Sequence, residues 1–141
     1  MPVIVALCVV VIIGAVAVLH LYWAFGGTTA KALSVPEVEG RRAFSPSKSG
    51  TFAVAVALLF AATIVAIAGH LIPSYLPVAP VRVLAFGLAI TFAGRAIGDF
   101  RLVGLFKRVR GTGFAKLDTW IYAPLCLGLG VAIFYVAYNA T

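Results

Sequence analysis

Four apolar runs, separated by three more polar intervals, divide the chain. The runs cover roughly residues 3–25, 51–72, 81–100 and 119–138. Each is close to the roughly 20 residues that a helix needs to cross the hydrocarbon of a bilayer. None shows the apolar-polar alternation, over about ten residues, of a membrane barrel strand. The intervals are a long polar stretch at 26–50, a proline-rich turn at 73–80 and a basic segment at 101–118. The pattern predicts an all-α, integral membrane four-helix transmembrane bundle, with residues 1–141 forming one domain.

Composition sharpens that picture. The chain is 63% hydrophobic and 11% charged, whereas a soluble domain carries about 25% charged residues. No stretch is left over for a separate soluble domain, so any site must be built from the spans and their connections. The first run lacks preceding Lys or Arg and is too long for the apolar core of a cleaved leader, so it is expected to remain as a helix.

Charge gives an orientation. Lys31, Arg41, Arg42 and Lys48 lie in the first interval, and Arg101, Lys107, Arg108, Arg110 and Lys116 in the third. Arg82 is the one cation expected on the opposite side, and Arg95 falls inside a span. The positive-inside rule then places both basic loops in the cytoplasm and both termini outside. So strong a bias argues against a dual-topology antiparallel dimer. It therefore argues against the small drug exporters and fluoride channels built that way, and the first helix lacks the carboxylate such exporters use. The net charge of +7 suits an anionic inner leaflet. No basic soluble domain interleaved with aromatics is present, so nucleic acid is not an expected partner.

Spacing excludes further chemistry. Cys8 and Cys126 lie at depths that differ by very roughly 10 Å, too far for a disulfide, whose Cα atoms lie within about 7 Å. No C-x-x-C motif occurs. His20 and His70 sit at opposite ends of their helices and cannot share a metal or a haem. No metal and no cofactor are expected.

Some helix residues carry polar chemistry. Helix 1 ends in "HLYWAFGG" (20–27), with Tyr22 and Trp23 at the expected headgroup level and a glycine stop. The 26–50 interval is long for a bundle connection. Its charges read as a solvated surface, with a fold-back lid as the alternative. On helix 3, Gly87, Thr91, Gly94 and Gly98 share one stripe, which predicts a close-packing seam within the bundle or between protomers of a homo-oligomer. Arg95 and Asp99 flank that stripe. Leu102, Leu105, Phe106 and Val109 repeat at helical spacing, which predicts a basic amphipathic helix over about 100–110, lying on the inner leaflet or continuing helix 3 with a bend. Asp118 fits an N-cap for helix 4, and Pro124 should kink that helix.

His20, Trp23, Arg95, Asp99, Arg101, Asp118 and Tyr122 therefore collect in the cytoplasmic third. Charges inside a span are functional candidates by default. The structural alternative is an Arg95–Asp99 pair at i,i+4 that ties helix 3 to helix 4.

Four segments together carry a resemblance: "HLYWAFGG", "GRRAF-P" from residue 40, "RAIGDFRLVGLFK" from residue 95 and "FAKLDTWIYAPLCL" from residue 114. The chain resembles a bacterial family of small four-span membrane proteins, catalogued as a domain of unknown function. The resemblance implies a bacterial plasma membrane and brings no activity or catalytic residue with it.

The leading expectation is a membrane protein that binds a lipid or amphiphilic small molecule at the polar cluster. Arg95 would hold an anionic group, and Trp23 and Tyr122 would form walls. The alternatives are a membrane enzyme, with His20 or Asp99 as base and Arg95 as anion stabiliser, and a small transporter.

Overall fold

The computed structural model describes residues 1–141, with the side chain of Ala32 left aside. Four long helices carry the fold: α1 (Pro2–Ala24), α2 (Lys48–Ala68), α3 (Val78–Ile97) and α4 (Gly113–Tyr138). All are long and apolar enough to cross a membrane, as the apolar runs predict. Between α1 and α2 the chain forms a 3-10 turn at Lys31–Ser34 and a short hairpin of β1 (Glu37–Val38) and β2 (Arg41–Arg42). The register pairs Glu37 with Arg42 and Val38 with Arg41.

Local chemistry sets the helix ends. The Ser47 hydroxyl accepts from the Gly50 amide at 3.0 Å and starts α2 three residues earlier than the apolar run. Pro80 sits in the first turn of α3, where a missing amide costs no helical hydrogen bond. The Thr112 hydroxyl accepts from Ala115 at 3.1 Å and caps α4. The expected Asp118 cap is therefore replaced by Thr112, and Asp118 lies inside the helix.

The bundle is two tightly paired hairpins, α1 with α2 and α3 with α4, which meet each other over less surface. At the end that holds both termini, small side chains pinch them together. Ala6, Val65 and Val136 are fully buried there. A Cβ on Gly69 would run into the Ala6 side chain, so the helices touch at that glycine. The α3–α4 seam is made by Ala85, Ala89 and Ala96 on one side. Gly130 faces it, where a Cβ would stand 3.1 Å from the Ala89 carbonyl and the Ala93 amide.

The expected glycine stripe is not part of this seam, which leaves its other expected role, contact between protomers. Gly87 and Gly94 have nothing near them, and Thr91 is exposed with its hydroxyl donated to the Gly87 carbonyl. Gly87, Thr91 and Gly94 thus point away from the bundle, and alanines make its packed face instead. Lipid gives no drive to sort Ala from Gly, so a stripe pattern alone does not choose between the two faces.

The segment 98–112 is also not the expected amphipathic helix. It is a compact series of turns. Gly98, Phe100, Gly104 and Gly111 all take positive φ, a conformation that a right-handed helix excludes. A Cβ on Gly98 would strike the Val103 carbonyl, and one on Gly104 the Ile97 carbonyl. Two backbone strands cross here with no room for side chains. Asp99 takes part in the competition against helix: its Oδ1 accepts from the amides of Arg101, Leu102 and Val103 at 2.9, 2.7 and 3.0 Å.

Candidate functional site

The most buried charged group is Asp118, whose side chain has no exposed surface. It lies in the first residue of a π-helical turn (Asp118–Tyr122) that precedes Pro124. Proline lacks an amide and crowds the carbonyl four residues back, so a widened turn ahead of it relieves the clash. The Ala123 amide reaches back to the Asp118 carbonyl, five residues away. The sequence thus converts an expected kink into a local widening, a feature found often at functional sites.

Asp118 is shared by two cations. Its Oδ1 accepts from Arg95 Nη2 at 2.9 Å, and its Oδ2 accepts from Lys107 Nζ at 3.0 Å and from the Gly104 amide at 2.7 Å. Lys107 is itself buried and donates also to the Gly104 carbonyl at 2.9 Å and the Thr119 hydroxyl at 2.7 Å. The carboxylate therefore clamps the 98–112 turns onto α4 and ties both to α3. Among the described residues, these are the two ion pairs, and both end on Asp118. The cluster carries two positive charges against one negative.

Arg95 differs from Lys107 in one respect. All the donors of Lys107 have acceptors, but Arg95 Nη1 is shielded from solvent and has no hydrogen-bond partner. An unpaired buried donor costs about 1–3 kcal/mol, more when charged. The guanidinium also lines a cavity of about 610 Å³ between the two hairpins, at the end where both loops lie.

The cavity has a polar mouth and an apolar depth. His20, Arg95 and Lys31 line its loop end, and Ile13, Leu58 and Leu129 line its inner part. Ile13 lies seven residues from His20 on α1, so the cavity runs about 10 Å into the span.

Two aromatic residues hold the loop over the mouth. Trp23 is buried, and its Nε1 donates to the Thr29 carbonyl at 2.8 Å. The Tyr122 hydroxyl donates to the Leu33 carbonyl at 3.3 Å, joining α4 to the 3-10 turn. Val35 is 2% exposed beneath this cover. The interval 25–47 is thus a lid, while Glu39, Arg41 and Arg42 remain on its solvated surface. His20 Nδ1 donates to the Val16 carbonyl at 2.8 Å, and the ring meets Trp23 edge to face at 5.1 Å. That bond orients the ring with Nδ1 carrying a proton and leaves Nε2 as the ring nitrogen without a partner.

A family model described as a protein of unknown function, DUF3995, matches residues 13–133. The chain belongs to this family. Comparison with curated proteins and with solved structures gave no match. The DUF3995 match encloses the whole cavity wall, from Ile13 to Leu129, together with Asp118 and its partners.

Within this DUF3995 member the seven expected cluster residues divide. His20, Trp23, Arg95 and Tyr122 line one cavity. Asp118 stands behind it and holds Arg95. Asp99 and Arg101 lie elsewhere: both are exposed, and Asp99 accepts backbone amides in place of the expected Arg95 pair. The Val103 amide above all, with those of Arg101 and Leu102, holds the Asp99 carboxyl below its ordinary range. Lys107 and Lys31 were not singled out by sequence. Lys107 sits in a run of surface-like cations, and only its distance to a lone buried carboxylate marks it. Lys31 follows a loop path that periodicity does not describe.

Proposed function

We propose that the protein binds an anionic amphiphile in the cavity between its hairpins, with the head group at Arg95 and the chain along Ile13, Leu58 and Leu129. The reading places the mouth at the cytoplasmic face of a bacterial plasma membrane, in accord with the charge bias of the loops. One observation carries it. The cluster of half-buried Arg95 with buried Lys107 and Asp118 has an excess positive charge, and the member with an unsatisfied, solvent-shielded nitrogen is the arginine on the cavity wall. A bound anion supplies both the missing charge and the missing acceptor. The apolar wall supplies the affinity of the chain, about 0.8 kcal/mol per buried CH₂.

Native mass spectrometry of the gently extracted protein tests this. The wild type is expected to carry an anionic lipid adduct that Arg95→Met loses. An adduct pattern unchanged in Arg95→Met contradicts the proposal.

A second reading, a membrane enzyme, has one supporting observation: the His20 ring is oriented by Val16 and leaves Nε2 free on the cavity wall. Under that reading His20 is the base and Arg95 the anion stabiliser. His20→Gln would then abolish turnover of a bound amphiphile while leaving its binding in place. Retained turnover would remove His20 from that role.

A further inference from the structure

The cavity presents a second cation. Lys31, on the 3-10 turn of the lid, lines the same mouth as Arg95 and forms no ion pair. Its own segment offers no neutralising group: the lid's acidic residues, Glu37 and Glu39, lie on the hairpin beyond the buried Val35 and pair with no cation. Behind Arg95, Asp118 is already divided between two cations. The excess charge at the mouth is therefore about two, one from the Arg95–Lys107–Asp118 cluster and one from Lys31. A single negative charge compensates only one of these, and a dianion compensates both.

The volume restricts the other end of the ligand. At roughly 30 Å³ for each small group, the share of a water molecule in the liquid, 610 Å³ holds about twenty non-hydrogen groups. A single-chain amphiphile of about twelve carbons with a compact head fits that limit.

Resting on the anion-binding reading, we infer that the ligand is a single-chain phosphate monoester, whose dianionic head is held between Arg95 of α3 and Lys31 of the lid. Arg95 supplies the charge that any anion needs. Lys31 supplies the discrimination, because it pairs with the second negative charge. The lid thus reads the head group, and the Tyr122 and Trp23 bonds to its backbone hold Lys31 over the mouth.

The test uses the full-length protein in nanodiscs of phosphatidylcholine at pH 8, above the second phosphate ionisation near about 6. Binding is compared for dodecyl phosphate, its monoanionic methyl ester, dodecanol and inorganic phosphate. The wild type is expected to prefer dodecyl phosphate over the methyl ester by about ten- to hundredfold, the worth of a hydrogen bond to a charged group. Lys31→Gln should bind the methyl ester as the wild type does and lose the preference. Arg95→Met should lose both anions. Circular dichroism confirms that each variant is folded.

Equal affinity of the wild type for monoester and methyl ester overturns the inference and leaves the anion reading intact. So does a preference that survives Lys31→Gln. Inorganic phosphate competing as well as dodecyl phosphate overturns the lipid source and assigns the site to the free anion. Dodecanol binding as well as either ester overturns the anion reading itself.

Discussion

Replacing Asp118 by Asn should be the most damaging single change of charge in this protein. The substitution keeps the shape of the side chain and removes its charge. Arg95 and Lys107, each within 3.0 Å of the carboxylate, are then two like charges without a counterion. Lys107 has 1% of its side chain exposed, so it has no access to water to compensate. Removing one partner of a buried ion pair typically costs about 3–5 kcal/mol. For a chain of this size that corresponds to a fall in Tm of about 10 °C. Lys107→Met is different, because Arg95 and Asp118 remain as a balanced pair. It loses bonds to Gly104 and Thr119, worth about 1–2 kcal/mol together. The double variant removes the stranded Lys107 cation as well as the carboxylate, so its loss should be smaller than the sum of the two single losses, by a coupling of about 1–3 kcal/mol. The assay is thermal unfolding followed by circular dichroism in one detergent for all three variants. An Asp118→Asn protein within about 1 kcal/mol of wild type refutes the reasoning, as does a double variant whose loss equals or exceeds the sum of the two single losses.

Other expectations follow from the turns and the charge pattern. Gly104→Ala should disrupt the 98–112 turns, since its Cβ meets the Ile97 carbonyl; limited proteolysis should cut that segment faster than in wild type, and equal rates would remove the close crossing. Asp99 has a depressed carboxyl pKa in the folded state, so its contribution is complete above the ordinary value near about 3.9 and is lost as pH falls through the lower folded value. Asp99→Ala should therefore loosen the same segment at pH 6 and make little difference once acid has protonated the wild type, as read by hydrogen exchange of residues 101–103. Alkaline phosphatase fused after Thr141 should be active, and the same enzyme fused within the 25–47 loop should be inactive; the reverse result would invert the orientation assigned by the positive-inside rule.

The helices were legible in sequence because burial in lipid demands a long apolar run, and that signal is additive along the chain. The site was legible in part. A charge within a span is conspicuous, so Arg95 and Asp118 stand out, and the aromatic end of α1 marks Trp23. Their partnership was hidden. Spacing along α3 favours Asp99 as the partner of Arg95, yet Asp99 is consumed by three backbone amides beyond a glycine that ends the helix. Positive φ at Phe100 and the crossing of Gly98 and Gly104 are tertiary facts. They turn an amphipathic pattern into a knot of turns and carry Lys107 inward. The glycine stripe of α3 lies outside the bundle's own seam for a related reason. Periodicity shows that a face exists, and only the neighbouring helix decides which face is used.

The central claim is that Arg95 anchors an anion at the mouth of an apolar cavity. Trp23 lines that cavity and is buried, while Trp120 is 81% exposed on the outside. In a Trp120→Phe background, Trp23 is therefore a local reporter. Titrating a chain-brominated dodecyl phosphate into nanodiscs should quench Trp23 saturably, and Arg95→Met should abolish the saturable component. Quenching that is unchanged in Arg95→Met, or that brominated dodecanol reproduces, would contradict the account.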